Sequence, residues 1–231
     1  MRINFGDLKI GTTAKKYLQS AIDKNWVSEG ANVAEFERRF AEKFGYKHCI
    51  ATSSGTDADI VACASLYDFG AQRGDEIICP ACTFVASANA ILAAGFIPRF
   101  VDVELETLNI DPSKIEAAIN KKTRAIMAVH LMGKPAEMTA IMKIAKEHNL
   151  MVIEDACEAH GAAHQGKVVG GIGDMGVFSF YAAHVVVAGE GGMITTNSDK
   201  IDQVARSVKS HGRPFGSIYF DFQRFGFNSR I

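Results

Sequence analysis

The stretch Met151-Val-Ile-Glu-Asp155-Ala-Cys-Glu158-Ala-His160-Gly161 decides how the chain is read. Its apolar opening, with two β-branched residues in a row, predicts a strand buried on both faces. The carboxyl end of that strand then delivers Glu154, Asp155 and Glu158. A carboxylate there can pair with a cationic ring nitrogen; the plain alternative is a structural cap or a surface acid.

Outward from this segment the same pattern repeats. Short apolar, β-branched runs predict strands at His48–Thr52, Glu76–Cys79, Arg99–Val103, Arg124–His130, Val177–Phe180 and Met193–Thr196. Between most of them lie helical stretches, about Thr56–Phe69, Val85–Ala94, Pro112–Ile119, Ala136–His148 and Asp199–His211. Residues 1–45 read as a helical leading segment, with Leu18, Ile22, Val33, Phe36 and Phe40 expected on core-facing stripes. Alternating helices and two-sided strands predict an α/β fold, a mostly parallel seven-stranded sheet between helices. The abrupt end, Phe225-Gly-Phe-Asn-Ser-Arg-Ile231, predicts a truncated chain.

Bulk properties narrow the function. Of the 231 residues, 48% are hydrophobic and 22% charged, as expected of a folded globular chain. A net charge of −1 gives no footprint for nucleic acid. No apolar run reaches the roughly 20 residues that span a bilayer, and Met1–Asp7 lacks the apolar core of a signal peptide. A cytoplasmic protein with no membrane contact is expected. Five cysteines, an odd number, do not form a disulfide framework, and the Cys79–Cys82 pair lacks the second pair that a metal site wants.

In an open parallel sheet, ligands sit beyond the carboxyl ends of the strands. One such junction is Thr52-Ser53-Ser54-Gly55-Thr56-Asp57-Ala58, where free N–H groups at a helix start suit a phosphate or simply reflect an N-cap. Another is Gly176-Val-Phe-Ser179-Phe-Tyr181-Ala-Ala-His184, followed by Gly189-Glu-Gly-Gly192. By itself, His184 reads as a structural histidine or a catalytic one. Gly171-Ile-Gly173-Asp-Met-Gly176 matches G-x-G-x-x-G literally, but it precedes a strand where the dinucleotide fingerprint must follow one. His160 and His164 stand four apart without a stable helix to present a metal, and no metal is expected.

Taken in order, Ser54-Gly-Thr-Asp-Ala, Pro80-Ala-Cys-Thr-Phe84-Val-Ala-Ser-Ala-Asn-Ala, Phe100-Val-Asp-Val, Val129-His-Leu-Met-Gly, Glu154-Asp-Ala-Cys-Glu-Ala-His-Gly, Phe178-Ser-Phe-Tyr and Gly189-Glu-Gly-Gly resemble the DegT-type nucleotide-sugar aminotransferases. The resemblance implies a fold-type-I large domain over residues 1–231 that binds pyridoxal 5'-phosphate or pyridoxamine 5'-phosphate, with the C-terminal small domain missing. It also implies a homodimer with sites at the interface, a nucleotide-sugar substrate and an amino donor such as glutamate. Gly55, Thr56 and Ser179 match positions that hold the cofactor phosphate, and Phe84 matches the aromatic stacked on the ring. Asp155 matches the partner of the ring nitrogen. Glu158 stands near the ring hydroxyl, where glutamine is commoner, and Asn228 matches a residue reaching the partner subunit's phosphate site.

One position departs from the family pattern. Where the Schiff-base lysine belongs, this sequence has His184, and Lys167, Lys200 and Lys209 lie outside the motif. An imidazole cannot hold the cofactor covalently, but near neutral pH it serves as general base or acid. The same replacement marks the branch of 3-dehydratases acting on 4-keto-6-deoxy nucleotide sugars. The resemblance therefore implies 3-dehydration with His184 and Asp155 as catalytic groups. Alternatives are a sugar aminotransferase whose lysine is replaced at 184, or a non-catalytic cofactor-binding homologue. One subgroup of that branch adds an iron–sulfur cluster through later cysteines, but no cysteine follows Cys157.

Overall fold

The computed structural model describes residues 10–214, 216, 217 and 219–231. The Met1–Asp7 stretch and the first part of the expected 1–45 segment lie outside the described residues. Helices α1 (Thr12–Asp23) and α2 (Ala31–Phe44) lead into β1 (His48–Thr52), α3 (Gly55–Ser65), β2 (Glu76–Pro80), α4 (Val85–Ala93) and β3 (Ile97–Val101). Then come α5 (Pro112–Ala118), β4 (Thr123–Val129), α6 (Met138–Glu147) and β5 (Met151–Asp155). The short pair β6 (Ala163–His164) and β7 (Lys167–Val168) precedes β8 (Met175–Ser179), β9 (Gly192–Thr196) and α7 (Asp199–Val208).

The seven-stranded sheet has the order β1-β9-β8-β5-β4-β2-β3. Strands β3, β2, β4, β5 and β8 run parallel, while β9 runs antiparallel to both β8 and β1. Two reversals cancel, so β1 points the same way as β8. The carboxyl ends of six strands and the amino end of β9 therefore share one edge. Along β4, Ala125 and Met127 pack with α3 and α4 residues on one face, while Ile126 and Ala128 pack with α5 and α6 residues on the other. Both faces are dry, which is why these strands read as unbroken apolar runs. Among the described residues, no helix is long and apolar enough to cross a membrane.

Three expectations need correction. Leu18 and Ile22 are not core residues: α1 buries none of its side chains, and these two are 56% and 59% exposed. Periodicity reveals an apolar stripe but not what covers it. Strand β3 starts two residues earlier than predicted, because its register is set by pairing Glu76 with Ile97. Helix α7 stops at Val208, where the expectation ran to His211, and His211 itself takes a left-handed conformation with φ 61°.

The β6–β7 hairpin was not expected. Its two-residue turn, Gln165-Gly166, has positive φ at both positions, as a tight hairpin turn requires. Edge strand β1 is also closed off. Glu37 accepts from the Ala51 N–H at 2.7 Å, Arg206 donates to the Cys49 carbonyl at 2.8 Å and Lys209 to the Ala51 carbonyl at 2.9 Å.

The β5–β8 junction hangs on Glu154, whose side chain is fully buried. Its Oε1 accepts from the N–H groups of Ile172 and Gly173 at 2.8 and 2.7 Å. Its Oε2 accepts from Gly170 N–H at 2.8 Å and from His130 Nε2 at 3.1 Å. His130 Nδ1 accepts from Ala136 N–H at 3.0 Å, so the ring proton sits on Nε2. The G-x-G-x-x-G loop thus aims its amides at a carboxylate of the chain itself.

Glu154→Gln would set an amide N–H₂ against backbone donors. The variant is expected to lose about 3 kcal/mol of stability, read from the denaturant midpoint. His160 packs against Phe178, with ring centroids 5.2 Å apart, and burial followed by the charge of His184 holds its pKa down to about 4. Its unfolded form takes up a proton first, so stability falls as pH drops from 6.5 towards 4. Replacing His160 with Leu should flatten that part of the stability–pH profile; an unchanged profile would contradict the assignment.

Candidate active site

At the shared edge lies a cavity of about 560 Å³. Gly55, Thr56, Phe84, Asp155, Glu158, Ser179 and His184 all line it. Asn228 does not: it is exposed, bridges to Ser210, and its Oδ1 accepts from Arg230 at 3.1 Å. Thus seven of the eight residues expected at the site converge on one space.

One wall is the start of α3. Ser54 caps the helix, its Oγ accepting from Asp57 N–H at 3.0 Å, so the cap reading holds. The N–H groups of Gly55 and Thr56, first in the helix, have no carbonyl to reach within it. A side chain at 55 would put Cβ 2.5 Å from Ser179 Cβ and 3.0 Å from Cys157 Sγ. Glycine at 55 lets the helix start close on the end of β8, where Ser179 is 6% exposed. These N–H groups, beside a buried hydroxyl at the positive end of a helix, are an anion cradle.

The floor is the end of β5. Asp155 is 7% exposed; its Oδ2 accepts from Ser87 Oγ at 2.8 Å and its Oδ1 from Cys157 N–H at 3.2 Å. Ser87 in turn meets Thr83 Oγ1 at 2.9 Å. Ser87 and Thr83 carried no expectation, although Ser87 sits one helical turn past Phe84, on the first turn of α4. Asp59 also lines the cavity, and burial, then the charge of Asp155, pushes its carboxyl well above the usual range. Oxygens of Asp59 and Asp155 and the Cys157 sulfur lie within 4.8 Å of one another. Burial, then Asp155, raises the Cys157 thiol too.

The mouth is built from Phe84 and the turn after β8. Phe84 is 69% exposed at the start of α4, an aromatic face with no covering side. His184, half-buried, is fixed through its backbone N–H to the Tyr181 carbonyl at 2.9 Å, and the two rings lie 6.0 Å apart. Glu158 Oε2 accepts from Met132 N–H at 2.5 Å, tying the β5 loop to the β4 loop. No lysine lines the cavity among the described residues. Lys209 is buried with Glu29 at 2.7 Å, and Lys200 lies over the Phe69 ring.

The remaining candidates fall elsewhere. Cys79 is buried in β2, where burial pushes its thiol up to about 12, while Cys82 is exposed. His164, on the hairpin, meets Thr139 Oγ1 at 2.8 Å, apart from the His160 aromatic cluster. The cavity's donor set, an anion cradle, an aromatic face, a buried carboxylate and an imidazole, fits a flat ring with a cationic nitrogen and a phosphate tail.

Comparison with known proteins gives the family of the chain. The chain is 40% identical over its full length to GDP-perosamine synthase of Caulobacter vibrioides and spans 61% of that protein. It is 37% identical over 198 residues, 84% of its length, to GDP-4-keto-6-deoxy-D-mannose 3-dehydratase of Yersinia pseudotuberculosis, of which it covers 50%. The solved Escherichia coli GDP-4-keto-6-deoxy-D-mannose-3-dehydratase with bound hydrated PLP superposes with a TM-score of 0.85 at 31% identity, covering 91% of this chain and 55% of that one. The chain therefore spans about 50 to 61% of the length of these relatives. Residues 9–231 match the model of the DegT/DnrJ/EryC1/StrS aminotransferase family, and the chain belongs to that family.

Proposed function

We propose that the protein is a cytoplasmic enzyme that binds pyridoxamine 5'-phosphate or pyridoxal 5'-phosphate non-covalently. It removes the 3-hydroxyl of a nucleotide-linked 4-keto-6-deoxy sugar, with His184 as base. The observation that carries this reading is the pairing of His184 with Asp155 in a cavity whose described lining holds no lysine.

When bound, pyridoxamine 5'-phosphate supplies an amine that condenses with a sugar ketone and a protonated ring that draws off electrons. Gly55 and Thr56 N–H groups and the Ser179 hydroxyl would hold its phosphate. Phe84 would cover one face of the ring, Asp155 would keep the ring nitrogen protonated, and Glu158 would face the ring hydroxyl. Ser87 and the Cys157 N–H fix the Asp155 carboxylate by hydrogen bonds at 2.8 and 3.2 Å. His184, facing the reacting edge of the ring, would act as the base that holds a proton there and would pass one to the departing 3-hydroxyl, which leaves as water. The nitrogen that passes to the sugar would be freed as ammonia by hydrolysis, and an amino donor such as glutamate would supply the next amine.

A homodimer fits the exposed apolar residues of α1 and the segment after it: Tyr17, Leu18, Ile22, Trp26 and Val27 are 52 to 83% exposed. In that assembly Asn228, absent from this chain's own cavity, would reach the phosphate of the partner subunit's site.

The full-length protein, supplied with a keto-sugar nucleotide and glutamate, should release a 3-deoxy sugar. His184→Asn should lower that turnover at least about 100-fold with cofactor affinity retained; full turnover in the variant would remove His184 from the mechanism. If His184→Lys instead gains a borohydride-reducible bond to the cofactor and transaminates efficiently, the chain is a diverged aminotransferase.

A further inference from the structure

We propose that Asp59 is a positioning residue that keeps its proton and presents it to Asp155, so that the two carboxyl groups act as one acid pair with a single negative charge. The consequence for the cofactor rests on the ring-binding reading above; the acid pair itself does not.

Asp59 lies four residues beyond Gly55 on α3, one helical turn below the anion cradle and on the same face. It is 1% exposed, yet Oδ1 has no hydrogen-bond partner among the described residues. Its neighbours of titratable chemistry are Asp155 and Cys157 across the cavity floor and Cys63 one turn further along α3. Among the described residues no lysine or arginine lines the cavity, and the ring N–H of the nearby His130 is donated in a hydrogen bond to Glu154.

An isolated buried carboxylate is among the costliest groups a fold can hold, and a second carboxylate within 4.8 Å adds repulsion. Retaining the proton relieves both. A protonated Asp59 has one O–H to donate, and Asp155 is the anionic acceptor in reach. Each Asp155 oxygen already accepts one hydrogen bond and has a lone pair left. The two side chains are not hydrogen-bonded in this geometry, their oxygens lying within 4.8 Å, and the proposal requires Asp59 to turn towards Asp155. A divalent cation suits the cluster poorly, because it requires all three ligands deprotonated. A single negative charge matches a single protonated ring nitrogen. Two would overcharge the site.

Infrared spectra of the full-length protein without cofactor, at neutral pH, test the pair directly. A protonated-carboxyl stretch is expected that shifts in heavy water and disappears in Asp59→Asn. Pyridoxamine 5'-phosphate affinity then tests its role. Asp59→Asn, whose amide N–H replaces the O–H, should bind within about twofold of wild type, and Asp59→Leu roughly tenfold more weakly. Absence of the wild-type stretch, equal affinities in the two variants, or tight Zn²⁺ binding that Asp59→Asn abolishes overturns the proposal. If the stretch is present but wild-type protein binds no cofactor, the ring-binding reading fails and the acid pair stands.

Discussion

The fold around the site depends on one buried carboxylate. Glu154 gathers three backbone N–H groups and the His130 imidazole, and so fixes the loop that carries the chain from β5 into β8. Without those acceptors, the amides of Gly170, Ile172 and Gly173 would be unpaired within a tight, largely dry turn, a cost of roughly 1–3 kcal/mol each. His130 extends the same restraint to the end of β4, since its Nδ1 holds Ala136 and its own N–H reaches the Asp155 carbonyl at 3.0 Å. Three strand ends are therefore held in register by one side chain and its imidazole partner.

Successive residues of a strand point to opposite faces. Glu154 takes the structural side and Asp155 the cavity side, so a buried polar cluster stands directly behind the Asp155 carboxylate. Rigidity at Glu154 becomes precision at Asp155. Ser87 and the Cys157 N–H complete the hold from α4 and from the loop after β5. Against this fixed floor, the upper wall is built differently. His184 follows Ser179 in a turn rather than a strand, with its backbone N–H on the Tyr181 carbonyl. On the proposed reading, the site sets a fixed charge on the floor against an imidazole carried by the turn at its mouth.

Much of this was legible in the sequence, for physical reasons. Strands dry on both faces leave apolar runs that no surface segment tolerates, so the sheet and most helices could be read directly. Strand-end carboxylates, the hydroxyl-rich start of α3 and the turn bearing His184 were legible because α/β sheets put ligands at one edge. What failed was whatever depends on partners distant in sequence. Leu18 and Ile22 read as core because a stripe looks alike whether or not something covers it. Asp59 carried no expectation, since only the fold brings it to Asp155, across 96 positions of sequence. Ser87 was quoted within a motif without a role for the same reason. The glycine loop was rightly refused as a nucleotide fingerprint, but that Glu154 fills it could be seen only in three dimensions.

On the proposed reading, Asp155 and His184 address opposite parts of one bound ring. A crystal structure of the full-length protein soaked with pyridoxamine 5'-phosphate tests it most directly. The ring nitrogen is expected within hydrogen-bond distance of the Asp155 carboxylate, the phosphate on the Gly55–Thr56 amides, and the amine-bearing carbon facing the His184 imidazole. A ring bound with its nitrogen away from Asp155, or with its amine-bearing carbon out of reach of His184, would contradict it.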